Sequence, residues 1–205
     1  MNGEDQSMIA QTYVNRESFK DVHPWFESLK QNGLNPRYVT MDGERSIIRA
    51  LKLAWPRVKL QRCLYHIQHE GMRWLRTYPK TEAGKDLRQI LMKVCSIKTI
   101  KEQNAFICDY RNWILLYKDF IIKLSKSIIA FKDLQRTVVL INNALPDMFH
   151  YLTNTHIHST TNTLEGFHSR LKTDYQRHRG LIRKHRIHYL QWYSYFKNFK
   201  NSNTL

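Results

Sequence analysis

The feature that most constrains the fold is the stretch of residues 63–145, which contains almost no sequence typical of β-strands. Its only glycines are Gly71 and Gly84, and its only proline is Pro79. A long segment with so few helix-breaking residues favours a block of helices. The predicted helices run near 64–76, 82–95, 99–118 and 131–144, with a further segment around 121–129.

The residues before this block alternate between strand-like and helical segments. The predicted strands cover 8–15, 37–41 and 58–60, and the predicted helices cover 17–30 and 44–54. Such an alternation implies an α/β sheet with crossover connections.

After the block, a turn at 159–162 precedes a helix that ends near residue 175, and a last aromatic helix covers 184–199. We therefore predict an α/β fold that is mostly helical overall. Its three parts are a partial sheet over 1–62, an all-helical insertion over 63–158, and C-terminal helices over 159–205 that complete the core.

The chain is strongly basic, with 33 Lys and Arg residues against 17 Asp and Glu residues and a formal net charge of +16. A solvated surface is one interpretation of this excess. A polyanionic partner is the other, and nucleic acid is the usual one.

A membrane partner is not expected. No apolar run reaches the ~18 residues of a membrane-spanning helix, and residues 1–6 are polar and acidic, unlike a signal peptide. Three cysteines favour a reduced compartment over a disulfide framework. We expect a cytoplasmic protein associated with the nucleoid.

Two carboxylates are candidate metal ligands. Asp42 directly follows a predicted strand, where side chains of α/β sheets enter ligand-binding crevices. Its alternative role is a turn residue that caps the next helix. Glu165 lies at the start of a predicted basic helix, and its alternative role is a capping box with Asn162 as N-cap.

Cys63, His66 and His69 follow one another at three-residue spacing, which resembles part of a soft-metal site. Structural zinc needs four ligands, and no second pair is placed to complete the set. Cys95 and Cys108 lie on predicted apolar faces, so we expect them to be packed side chains. The alternative for Cys63 is a helix start packed against the sheet.

The region after Glu165 is rich in cations and aromatic residues. Its aromatic side chains could stack on unpaired bases, but their helical spacing favours a core position. Its cations are suited to DNA phosphates. The predicted DNA-binding residues are Arg170, Lys172, Arg177, Arg179, Arg183, Lys184 and Arg186.

Five segments together resemble the catalytic half of bacterial transposases of the Mutator-like group: 38–43, 61–66, 161–172, 178–181 and 189–193. The resemblance implies a ribonuclease H-like sheet with a helical insertion. It also implies an Asp, Asp, Glu triad that holds two Mg²⁺ or Mn²⁺ ions. By position, Asp42 matches the second acid and Glu165 the third, and Cys63 and His66 match an element near the site.

The chain departs from this family at the first aspartate, which lies on an earlier strand in the family. No residue here matches it, so we expect a truncated transposase or the downstream piece of an interrupted gene.

Three functions follow as hypotheses. The first is a DDE-type transposase core that cuts transposon ends, joins them to target DNA and assembles as a homo-oligomer on DNA. The second is a non-catalytic DNA-binding remnant. The third is a protein-interaction module that uses the helices of 64–145.

Overall fold

The computed structural model describes residues 1–14, 16–124, 126–178 and 180–202, and it describes no side chain beyond residue 198. Two strands and eight helices are formed by these residues. They are α1 (Phe19–Gln31), β1 (Tyr38–Met41), α2 (Arg45–Ala54), β2 (Lys59–Arg62), α3 (Leu64–Leu75), α4 (Glu82–Met92), α5 (Ile100–Lys123), α6 (Ile129–Ala144), α7 (Asn162–Gln176) and α8 (Arg183–Ser202). Short 3-10 turns cover Val94–Ser96, Leu145–Asp147 and His150–Leu152.

The predicted helices are therefore confirmed, and so is a mostly helical fold with a small parallel sheet. The predicted strand over 8–15 is wrong for its described part, residues 8–14. The reason is its neighbour: Met8 exchanges hydrogen bonds with the Asn198 side chain of α8, at 2.8 Å each, and not with another strand.

The chain folds into two compact units. The central unit consists of residues 38–43 and 59–160, and the terminal unit consists of residues 1–37, 44–58 and 161–205. The division into 1–62, 63–158 and 159–205 stays a prediction about functional parts.

The central unit is built on a parallel pair of strands beside a helical core. β1 and β2 pair in register from Tyr38 opposite Lys59 to Met41 opposite Arg62. Gln61 is fully buried and connects β2 to the 3-10 turns, since its amide donates to the Met148 carbonyl at 2.6 Å.

The helical core forms because α3 to α6 each carry apolar residues on the face that meets their neighbours. α3 contacts α4 and α6, and α4 contacts α5. Gly71 permits α3 to approach α4 closely, because a Cβ at position 71 would lie 2.6 Å from Leu91 Cδ1 on α4. The indole N–H of Trp113 donates to the Ala83 carbonyl at 2.9 Å, which ties α5 to the start of α4.

The terminal unit contains two helix pairs. α1 packs against α2, and the Phe26 and Trp55 rings lie 5.4 Å apart. α7 lies beside α8, where the Phe167 and Tyr193 rings meet edge to face at 5.7 Å. Across the described residues, no helix combines the length and the apolar character needed to cross a bilayer.

We expect Leu87→Ala to lower the free energy of unfolding by about 2–5 kcal/mol, because Leu87 is fully buried in the central core and its loss leaves a cavity. Urea denaturation followed by circular dichroism measures the change. The control is Leu115→Ala, at a leucine that is 75% exposed on α5, with an expected change within about 0.5 kcal/mol. Equal losses in the two variants would contradict the packing described above.

Candidate functional site

The carboxyl ends of the two strands bring Asp42 and Cys63 together. Asp42 directly follows β1, and Cys63 directly follows β2. The Cys63 N–H donates to the Met41 carbonyl at 2.8 Å, which extends the ladder by one bond beyond the paired residues. The prediction that Asp42 sits at the end of a strand is therefore confirmed, and this edge is where parallel sheets form ligand sites.

Asp42 lies in the short connection between β1 and α2, as its alternative role requires, but it does not cap the helix, so that part of the alternative is wrong. The N-cap of α2 is Glu44, whose carboxylate accepts a hydrogen bond from the Ser46 N–H at 3.2 Å. The physical reason is distance along the chain, since an N-cap directly precedes the first helical residue and α2 begins at Arg45. A cap role therefore does not account for an acid at position 42.

Arg62 is a site residue that sequence reasoning missed. It is the last residue of β2, only 5% exposed, and its guanidinium lies so close to Gly43 that a Cβ at position 43 would overlap it. Burial lowers the pKa of Arg62, and the carboxylates of Asp42 and Asp147 oppose that shift. The end of β2 thus holds a buried cation whose charge is offset by two acids.

Position 62 gave one usable signal in the sequence. Arg62 lies two residues after the predicted strand 58–60 and directly before Cys63, and an arginine buried at such a strand end needs an anionic partner. That pattern could have prompted a search for its acids.

Cys63 starts α3 as its N-cap and is fully buried. The next N–H, that of Leu64, donates to the Ser159 carbonyl at 2.9 Å, so the helix start is fixed to the segment before α7. His66 is partly buried one turn into α3, and its ring meets Tyr65 edge-on at 5.9 Å. The interpretation of Cys63 as a packed helix start is confirmed.

His69 does not share this environment. Its side chain is 55% exposed and stacks on Tyr65 at 5.6 Å, because six residues along a helix turn it well away from the Cys63 direction. Cys95 packs at the edge of the core, as predicted, and burial raises the pKa of its thiol. The prediction of a packed Cys108 is wrong, because that residue is exposed on α5.

Glu165 lies in the terminal unit, in the first turn of α7. The N-cap of α7 is Thr161 and not Asn162, so the proposed capping box with Asn162 is wrong. The helix starts one residue earlier than that pattern requires. The Thr161 hydroxyl donates to a Glu165 carboxylate oxygen at 2.7 Å, which orients the acid.

The predicted DNA-binding residues lie on α7, on α8 and between them. Arg177 forms an ion pair with Asp174 at 3.8 Å, and Arg186 is partly buried with its guanidinium 5.7 Å from the Tyr175 ring centroid. Arg179 lies outside the described residues. The exposed members of the set are Arg170, Lys172, Arg177, Arg183 and Lys184.

The aromatic residues of α8 divide into two groups. Tyr189 and Tyr193 are partly buried and face α7, as the core interpretation predicts. Trp192, Tyr195 and Phe196 are 58%, 57% and 56% exposed, so the core interpretation is wrong for these three.

Among the candidate metal ligands of the central unit, which are Asp42, Cys63 and His66, only Asp42 offers the oxygen atoms that a hard cation prefers. Mg²⁺ and Mn²⁺ take oxygen ligands, whereas a thiol and an imidazole favour softer metals. Asp42 therefore fits as one carboxylate ligand of such an ion, and Cys63 and His66 do not. The nearby Arg62 guanidinium supplies a competing positive charge.

Comparison with known proteins does not assign this chain to a family. The chain matches no protein-family model, and no curated protein matches its sequence. The family resemblance therefore stays a prediction from the chain's own segments.

We expect Arg62→Met to lower the free energy of unfolding by about 1–3 kcal/mol, because the partly buried carboxylates of Asp42 and Asp147 lose a neighbouring positive charge. Urea denaturation at neutral pH measures the loss. The matched control is Arg73→Met, at an exposed arginine whose ion pair with Glu70 is worth below about 1 kcal/mol. A loss at Arg62 no larger than the control's would mean that its charge does not stabilise the strand ends.

Proposed function

We propose that this chain is the catalytic region of a DNA transposase of the Mutator-like type, which cuts and joins DNA with the help of divalent metal ions. The observation that carries the proposal is the placement of Asp42 beside the Cys63 and His66 segment at the carboxyl ends of two parallel strands. The resemblance implies this neighbourhood for the second acid of the triad.

In this proposal the carboxylates are the metal ligands. Asp42 and Glu165 each offer oxygen atoms to Mg²⁺ or Mn²⁺. When bound, two such ions activate the attacking oxygen and stabilise the leaving oxygen of a phosphodiester. Arg62 would attract Asp42 by its positive charge, and the Thr161 hydroxyl would orient Glu165.

The exposed cations of α7 and α8 would hold the DNA. Arg170 and Lys172 follow Glu165 within two helical turns, so phosphates bound there would lie close to that carboxylate. Water would attack the phosphodiester at a transposon end, and the freed 3′-hydroxyl would then attack target DNA. We expect the chain to act as a homo-oligomer on both DNAs.

A second candidate is a DNA-binding protein without catalytic activity. The observation that favours it is Arg62, whose buried guanidinium already compensates the charge that a metal ion would meet at Asp42. The basic surface of the terminal unit would still bind DNA in this case. The two candidates differ in metal binding and cleavage, but not in DNA affinity.

We expect duplex DNA binding to weaken steeply with salt, and the double variant Arg170→Gln with Lys172→Gln to lower the slope of log K against log salt by about 2. The reason is the loss of two exposed cations that contact phosphates. Fluorescence anisotropy over a salt series measures the slope.

The control for this experiment is Arg73→Gln with Lys85→Gln. It removes the same charge from two residues of the central unit that pair with acids on their own helices. Equal changes of slope in both double variants would show that only net charge matters, and would remove the proposed role of α7.

We expect Asp42→Asn and Glu165→Gln each to weaken Mn²⁺ binding by roughly tenfold or more, because each removes a charged oxygen ligand. Isothermal titration calorimetry measures the affinity. The control is Glu82→Gln, at a glutamate whose side chain is 74% exposed, with no expected effect. Unchanged Mn²⁺ affinity in both test variants, together with intact DNA binding, would favour the second candidate.

A further inference from the structure

Helix α8 meets the rest of the terminal unit along two faces. The N-terminal segment lies along one face, where Gln11 bonds to the Leu190 carbonyl at 3.0 Å and accepts from the Ser194 hydroxyl at 2.7 Å. α7 covers a second face through Tyr189 and Tyr193. Trp192, Tyr195 and Phe196 occupy the third face, each more than half exposed.

These aromatic side chains are ordered against one another. Trp192 and Phe196 are one turn apart, with ring centroids 5.6 Å apart and planes only 25° from parallel. Tyr195 meets the edges of both rings at 5.6 Å. The near-parallel rings of Trp192 and Phe196 therefore form an aromatic stack that is exposed to solvent.

An open cleft lies beside this stack. Its lining consists of Tyr189, Trp192, Tyr193, Phe196 and Lys197. The Tyr193 hydroxyl donates to the Asp174 carboxylate at 3.1 Å, so this wall of the cleft is held in place. The Lys197 ammonium lies 5.3 Å from the Tyr193 ring centroid, so the cleft is lined by a cation as well as by aromatic rings. We call this lining the α8 cleft.

The charge around the α8 cleft indicates what covers it. Lys184, His185 and His188 are exposed further back on α8, and α8 itself contains no acidic residue. Asp174, an acid of α7 that contacts the cleft wall, is already bonded to Tyr193 and paired with Arg177. An apolar protein helix would gain nothing from these cations. A ligand with flat rings and negative charge would gain from both features.

Nucleic acid with unpaired bases has both features. Each base presents a π-face that can extend an aromatic stack, and each linkage carries a phosphate for lysine. Bases inside a duplex are stacked on one another, and their faces are not accessible. The chemistry of the cleft therefore selects single strands or unpaired ends.

We propose that the α8 cleft binds unpaired bases of single-stranded DNA by stacking them on Trp192 and Phe196, with Lys197 at a phosphate. This inference deepens the proposed function, because it rests on a DNA-binding terminal unit and names the form of DNA that this surface takes.

The test compares a fluorescent oligothymidylate with a duplex of equal length, each titrated with the full chain. Trp192→Ala should lower affinity for the single strand by about tenfold, because one base loses its stacking partner. Duplex affinity and its salt dependence should stay unchanged, and Trp192→Phe should retain most single-strand affinity. The control is Tyr78→Ala, at a tyrosine of the central unit that is 87% exposed.

The outcomes separate this inference from the proposed function. Single-strand affinity unchanged in Trp192→Ala, with duplex binding intact, overturns the α8 cleft as a base site and leaves the proposed function standing. Reduced self-association in Trp192→Ala without loss of single-strand affinity also overturns it, in favour of a protein interface. Failure of the unaltered chain to bind either DNA at moderate salt overturns both. Because Trp192 is exposed, the variant should fold, and circular dichroism checks this.

Discussion

The parallel pairing of β1 with β2 is the interaction on which the candidate site depends. It puts Asp42 beside the start of α3 and brings Arg62 level with Met41. Two strands of four residues are too short to be stable by themselves, so the pair depends on what it packs against. Gln61 supplies part of that support through the Met148 carbonyl and the Tyr151 N–H, which it bonds at 2.6 and 3.3 Å. The helical core therefore holds the site in place.

Local spacing was sufficient to predict most elements of this fold. The helices of the central unit follow the periodicity of their own residues, and Asp42 follows a strand that its own residues define. Periodicity did not predict the surroundings of Arg62, because one of the acids that offset its charge, Asp147, is distant in sequence. Glu44 was not predicted as the α2 cap, because the periodicity placed it inside the helix 44–54, whereas α2 begins one residue later, at Arg45.

The aromatic residues mark a second limit of sequence reasoning. Phe106, Tyr110 and Trp113 on α5 recur at helical spacing and are almost fully buried. Trp192 and Phe196 on α8 recur at similar spacing and are more than half exposed. The spacing of the aromatic residues is similar in both helices. This spacing shows only which side of a helix is apolar. Whether another element covers that side depends on residues elsewhere in the chain.

The distribution of charge separates the proposed DNA binding from the proposed catalysis. In the central unit, the positive charge of Arg62 acts on Asp42 and Asp147, so a metal ion at Asp42 would meet a neighbouring cation. In the terminal unit, α8 carries no acidic residue. The exposed cations of α7 and α8 outnumber the two acids of these helices, Glu165 and Asp174. The proposed affinity for DNA therefore needs no metal site. Because the two proposed properties rest on different residues, DNA binding alone would not show activity. Metal binding at Asp42 and Glu165 is the property that would separate an enzyme from a DNA-binding protein without catalytic activity.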